Sequence, residues 1–142
     1  ESKLPKPIAL EKVDSDLLND LVNKVPELIS HMDEQDLNNY IKKVVDFSFK
    51  ANKYFNDLQP WALKKTNIER MNTILYTVVS QIKNISILLS PIIPVSSDKI
   101  FDIMNLKKNG RIISAINNND NFNHDLEFKK ISILFKKIED DN

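Results

Sequence analysis

The chain has 142 residues, 42% hydrophobic and 28% charged, and its twenty basic and twenty acidic side chains cancel to zero net charge. That length allows one domain with a real core, while the charge balance excludes the footprint of a strong non-specific nucleic-acid binder, so any RNA contact has to be local. Cysteine is absent and Gly110 is the sole glycine, which removes disulfides, thiolate metal sites and glycine-rich phosphate loops, and favours long helices over turn-rich sheet.

No apolar run approaches the ~20 residues of a membrane span, and the N-terminus lacks a signal-peptide pattern. A cytoplasmic protein without a membrane partner is therefore expected. The chain begins with Glu1 rather than methionine, and it is read as a piece of something longer.

Pro5 and Pro7 prevent regular helix and make residues 1–9 an extended lead-in. Leu17, Leu18, Leu21, Val22, Val25, Leu28, Ile29 and Met32 recur at the spacing of one helical stripe. They predict a first helix over about 14–32, kinked at Pro26. His31 closes it, and a last-turn histidine suits the helix dipole. After a polar break at 33–35, a second helix is predicted over about 36–56. Its inner face is read as Leu37, Tyr40, Ile41, Val44, Val45, Ser48, Ala51, Asn52 and Phe55. Asn52 on that face would be a buried amide in need of hydrogen-bond partners, whether from a neighbouring backbone segment or from a ligand.

The stretch Ala51–Lys65 is harder to explain by packing. Leu58, Gln59 and Pro60 end the second helix, and Pro60 and Trp61 begin a short helical turn, where the missing proline N–H is harmless. Trp61, the sole tryptophan, follows Pro60 directly, and Asn56, Lys64 and Lys65 flank it. From Lys42 to Arg70 seven basic residues face three acidic ones, a lean that fits either a solvated helix face or a local anion site.

Thr66 and Glu69 read as a capping box opening a third helix to about Leu89, with Met71, Ile74, Leu75, Val78, Val79, Ile82, Ile85, Ser86 and Leu89 as its apolar stripe. Ser90-Pro91 stops it. The apolar loop Pro91–Pro94 should pack beneath the bundle. Ser96 or Ser97 then caps a shorter helix through Leu106, and Gly110 reads as a helix-terminating glycine. Residues 111–116 add one more helical turn. Residues 117–123 form an asparagine-rich loop, and His124 is an isolated surface histidine. Leu126, Phe128, Ile131, Ile133, Leu134, Phe135 and Ile138 make an apolar tail with partly strand-like alternation. It is expected to fold back on the bundle or to dock on another domain.

No catalytic constellation is present in this pattern. No serine sits in a nucleophile elbow, and His31 and His124 are far apart with no motif around them. Asp33, Glu34 and Asp36 lie at a helix start, where the dipole favours them, and they fail the calcium-loop spacing. Binding or structural work remains, with no metal and no catalytic residue expected in this chain.

The pattern Ala51-Asn52-x-Tyr54 followed by Gln59-Pro60-Trp61-x-Leu63-x-Lys65 resembles the anticodon-binding helical domain of bacterial methionyl-tRNA synthetases. Lys3-Leu4-Pro5, Arg70 through Tyr76, Leu88 through Pro94, Ile100 through Leu106 and Leu134 through Glu139 extend the resemblance over nearly the whole chain. It implies an all-α antiparallel helical bundle over 1–116, with 117–142 as a loop and extended C-terminal tail. The tail would dock on the bundle or on the catalytic domain. It also implies that Trp61 stacks on the CAU anticodon of methionine tRNA, with Lys64, Lys65 and Asn56 beside it. Asn52, Tyr54 and Pro60 would shape the junction. Read without the resemblance, Trp61 serves equally well as a plug between two helices.

Two departures stand out. Lys136 takes the place of a proline in the tail motif, and the family's asparagine and arginine readers, four residues apart on an earlier helix, have no match here. The chain is therefore expected to start after that helix. The catalytic domain, with its ATP site and any zinc-binding insertion, would lie upstream. The matching domain of a related class I synthetase and a helical protein-interaction scaffold are the competing readings.

Overall fold

The structure, a computed structural model, describes residues 9–104, 106 and 108–116. The expected lead-in prolines, asparagine-rich loop and apolar tail lie outside the described residues. Four helices carry the fold: α1 (Lys12–Asp33), α2 (Leu37–Leu58), α3 (Ile68–Leu89) and α4 (Pro94–Ile103). A 3-10 turn over Pro60–Leu63 joins α2 to α3, and two more such turns, Lys108–Gly110 and Ile113–Ala115, follow α4. There is no strand among the described residues.

Helix α1 continues through Pro26, which removes one backbone donor without ending the helix. Its end is a Schellman motif. Asp36 N–H donates to His31 C=O at 2.8 Å and Gln35 N–H to Met32 C=O at 3.1 Å, with Gln35 at φ 59°. The reversal lays α2 antiparallel on α1: Lys43 reaches Glu27, and Lys50 reaches Asp20 at 3.0 Å. His31 does more than face the helix dipole, because its Nε2 lies 2.8 Å from Lys43 Nζ. Hydrogen bonds from Lys43 and Lys24 hold the neighbouring Glu27 carboxyl down at about 2.

The buried seam of α2 is Tyr40, Val44, Phe47, Ser48, Ala51 and Tyr54. Tyr40, Val44, Ser48 and Ala51 are buried as expected, and the face is turned from there toward Phe47 and Tyr54. Leu37 is exposed, and Ile41, Val45, Asn52 and Phe55 fall on a half-buried shoulder. The seam alternates steps of four and three residues from Tyr40, whereas the expected stripe was anchored on Leu37, in a solvated first turn. Asn52 is accordingly not the buried amide expected of it.

Helix α3 is enclosed on nearly all sides, with Val78, Val79, Ile82, Ile85, Ile87 and Leu88 among its fully buried residues. Polar side chains are enclosed with them. Thr77 Oγ1 donates to Thr73 C=O at 2.9 Å, Gln81 Nε2 to Leu17 C=O at 3.3 Å, and Lys83 Nζ to Ala115 C=O at 3.1 Å. Burial pushes the Lys83 ammonium down to about 8. Tyr40 O–H donates to Leu88 C=O, tying the start of α2 to the end of α3.

The expected helix caps move. Asn67, not Thr66, caps α3, its side chain accepting from Arg70 N–H at 3.1 Å. Thr66 N–H is still bonded back to Leu63 C=O, inside the preceding turn, so the next competent side chain takes the role. Helix α4 starts at Pro94 with Ile93 before it, leaving Ser96 and Ser97 inside its first turns. Proline's preset φ starts the helix ahead of either serine. Gly110 belongs to a 3-10 turn and has no positive φ, so it is not the glycine terminator expected after α4.

Candidate nucleic-acid interface

Helix α2 ends at Gln59, which takes the left-handed conformation at φ 45°, ψ 61°, with its N–H on Phe55 C=O at 3.1 Å. This reverses the chain without a glycine. Pro60 enters the 3-10 turn at its first position and is buried. The turn is closed by Ala62 N–H on Gln59 C=O at 3.0 Å and by Asn67 N–H on Leu63 C=O at 2.9 Å.

With Pro60 anchored, Trp61 is thrown outward and is 52% exposed. Its ring meets the Phe55 ring at 5.4 Å between centroids and 55° between planes. One edge is thus steadied by a tilted aromatic contact while much of the indole remains open. Asn56, Lys64 and Lys65 are exposed. Lys53, on the last turns of α2, is held by Asp57 at 2.6 Å, but among the described residues no ion pair engages Lys64 or Lys65. A flat ring and two uncommitted ammonium groups therefore share one turn of chain, which suits an unpaired base flanked by phosphates.

The three long helices are pinned together at one point. Asp14 of α1 is fully buried and accepts from Arg70 of α3 at 2.6 and 3.0 Å, from the Tyr54 hydroxyl of α2, and from Glu11 N–H at 2.9 Å. Burial by itself raises the Asp14 pKa, but the hydrogen bonds from Arg70, Tyr54 and Glu11 outweigh it and hold the carboxyl below its ordinary value. Burial and the bond to Asp14 push the Tyr54 phenol up, so it stays a neutral donor. The bond to Asp14 likewise raises Arg70.

Of the residues singled out from sequence, Trp61, Lys64, Lys65 and Asn56 lie on the surface, Tyr54 and Pro60 are buried, and Asn52 is half-buried. Sequence reasoning missed Asp14 and Arg70 as a structural pair. A signal was present: Asp14 is in register with Leu18, Leu21 and Leu28 on the apolar stripe of α1, and a carboxylate on a buried stripe demands a cation. Among the described residues no group of three histidine or carboxylate side chains is placed to hold a metal ion.

Gln59 supplies a direct test of how the turn is made. Replacing it by glycine is expected to raise stability by about 0.5–1 kcal/mol, because the left-handed cap then carries no Cβ penalty. The readout is a higher denaturant midpoint at unchanged slope. A lower midpoint would mean that the Gln59 side chain itself holds the junction.

Comparison with known proteins agrees over most of the chain. The family model described as the anticodon binding domain of methionyl tRNA ligase matches residues 4–142. The methionine--tRNA ligase of Brucella suis biovar 1 is 33% identical over 104 residues, covering 73% of this chain and 20% of that protein. The methionine--tRNA ligase of Rickettsia felis is 29% identical over 110 residues, covering 78% and 22%. The apo methionyl-tRNA synthetase of Mycobacterium tuberculosis superposes with a TM-score of 0.81 at 26% identity, covering 88% of this chain and 26% of that one. The same enzyme in complex with methionyl-adenylate gives 0.80 at 26% identity, covering 87% and 25%. The chain thus spans about a fifth of the length of the curated relatives it matches.

Proposed function

Since the chain belongs to the anticodon binding domains of methionyl tRNA ligases, we propose that it recognises the anticodon loop of methionine tRNA, as part of a ligase that joins methionine to that tRNA with ATP. The observation that carries this reading is the placement of Trp61, 52% exposed on a turn anchored by buried Pro60, with Lys64 and Lys65 exposed beside it. In this reading the indole stacks on a base of the CAU anticodon. Stacking is sequence-tolerant and supplies affinity. Lys64 and Lys65 engage the backbone and set the register of the loop. The Asn56 amide lies close by on the last turn of α2 and offers a donor and an acceptor to a base edge.

The chemistry of aminoacylation belongs to other parts of such a ligase. Methionine activation, the ATP it consumes and any zinc ion are assigned to a catalytic domain beyond this chain, which acts as that domain's partner. The cytoplasm is the proposed location, and no described helix is long and apolar enough to cross a membrane. The rival scaffold reading expects a buried Trp61 and no RNA affinity. The exposure of that ring favours the RNA reading.

Trp61 is the sole tryptophan, so its fluorescence reports on this turn alone. Titration with a CAU anticodon stem-loop at low salt is expected to quench it saturably, and a stem-loop with a changed anticodon to quench it less. With two lysines on phosphates, the salt dependence of log K should have a slope of roughly −1 to −2. Absence of quenching by either loop would remove the anticodon role of Trp61. Equal quenching by both would keep contact here but place the reading of sequence elsewhere.

A further inference from the structure

Helix α2 presents one stripe to solvent along its length. Asn38, Lys42, Val45, Phe49, Asn52 and Asn56 follow one another at steps of four and three residues, on the side away from the buried Tyr40, Val44, Phe47 and Tyr54. Phe49 is 55% exposed, as open as Trp61. A single exposed ring is ordinary on a protein surface, so its surroundings decide what it can do.

No carboxylate stands on this stripe. The two acidic residues of α2, Asp46 and Asp57, lie to one side, where Lys50 holds Asp46 at 3.3 Å and Lys53 holds Asp57 at 2.6 Å. Asn38, Lys42, Val45 and Phe49 line one open hollow. Four lysines in its lining face two carboxylates, Glu27 and Asp46, and each of these is already paired with a lysine. Lys42 is exposed, and among the described residues no ion pair or hydrogen bond engages it. The stripe thus offers a flat ring, amides and an uncommitted ammonium, with positive charge in excess. A protein partner would need a contiguous apolar core, whereas an unpaired base needs one ring and a phosphate one cation. The stripe also runs to the Trp61 turn. Phe49 and Asn56 are seven residues apart, about 10 Å of helical rise, or roughly three stacked nucleotides.

We propose that Phe49 is a second stacking platform for RNA: its ring takes an unpaired loop base outside the CAU triplet, and Lys42 meets a backbone phosphate beyond it. This rests on the anticodon reading of the Trp61 turn and extends that footprint along the outer stripe of α2. A third phosphate contact steepens the salt dependence that Lys64 and Lys65 give alone by about 0.7 in the slope of log K.

The test follows a labelled CAU stem-loop by anisotropy with the full 142-residue chain, and reads Trp61 fluorescence in parallel. Phe49→Ala and Phe49→Leu should each weaken binding roughly five- to 150-fold, the range for one base on an aromatic ring. Phe49→Tyr keeps the ring and should bind within about twofold of the parent. None of the three should move the denaturant midpoint, since the ring is exposed. Lys42→Ala should flatten the salt slope by about 0.7. Among stem-loops made abasic at single loop positions outside CAU, one should show a loss that does not add to that of Phe49→Ala. Saturable Trp61 quenching with unchanged affinity in Phe49→Ala would overturn the platform and leave the anticodon reading standing. Full affinity in Phe49→Leu, additive losses at every abasic position, or an affinity loss that tracks a fallen midpoint would also overturn it. An unchanged slope in Lys42→Ala would remove Lys42 from the contact. Failure of the parent chain to bind the loop at all, with no quenching, would overturn both readings.

Discussion

Arg70→Ala is expected to destabilise the chain by about 3–5 kcal/mol, the cost of leaving a buried carboxylate without its cation. Asp14 is fully buried, and the Arg70 side chain is 15% exposed, so solvent screens the pair weakly. Both guanidinium contacts are lost at once in the variant, and only Tyr54 and the Glu11 N–H remain to the carboxylate. A charged group stranded in this way is worse than no group at all. Asp14→Leu should therefore cost less when combined with Arg70→Met than Arg70→Ala does alone. The measurement is the denaturant midpoint of each variant. A loss below about 1 kcal/mol in Arg70→Ala would show that water reaches Asp14 and that the three helices are not pinned there.

The same pair has a defined pH signature. The folded-state pKa of Asp14 lies below its ordinary value, which in an unfolded chain is about 3.9. Its contribution is therefore fully present above about pH 4 and is lost as the pH falls through the lower, folded value. The stability gap between the parent chain and Arg70→Ala should narrow as the pH falls, starting where the stranded Asp14 of the variant, its pKa raised by the loss of Arg70, takes up a proton, and levelling off below the lower folded value of the parent. A gap that widened in acid would contradict the assignment.

Trp61→Ala is expected to weaken binding of the CAU stem-loop by about 1–3 kcal/mol, the worth of one base on an aromatic ring, or roughly five- to 150-fold. Stability should change by under about 1 kcal/mol. The ring is 52% exposed and, among the described residues, its aromatic contact is with Phe55, so little buried area is lost. Binding of the variant is followed by anisotropy of a labelled loop, since the reporter fluorophore is gone. Lys64→Ala with Lys65→Ala should weaken all loops about equally and flatten the salt dependence. A Trp61→Ala protein that loses stability and retains affinity would make Trp61 a junction plug and place the RNA contact on other residues.

Most of the helical architecture was legible in the residues. Apolar stripes at three-and-four spacing locate four helices to within a few positions, because burial of one face has that period in any helix. Pro60 and Trp61 mark the turn between α2 and α3 for local reasons: a proline suits a first helical position, and a preset φ needs no tertiary partner. The quotable motif around Trp61 also identified the family, since it is a string of residue types independent of how helices pack.

The rest was decided in three dimensions. The phase of α2 is only partly legible, because a stripe and its shoulder are both apolar, and only the approach of α1 and α3 chooses Phe47 and Tyr54 over Ile41 and Phe55. The enclosure of α3 was hidden for a related reason. Thr77, Gln81, Lys83 and Asn84 lie outside the expected apolar stripe, yet neighbouring elements surround them and bring some of their partners from distant backbone. The cap at Asn67 and the start of α4 at Pro94 depended on where the preceding turns ended. The joining of Asp14 to Arg70 and Tyr54 spans 56 and 40 residues of chain, a separation no local pattern encodes. Sequence by itself determined that this protein is a helical domain carrying an aromatic and lysine-bearing turn of a recognisable kind. The tertiary structure decided that the helices flanking the turn are joined to α1 by a buried carboxylate and that the turn shows its indole to solvent, because burial and pairing belong to the contacts between helices rather than to any one of them.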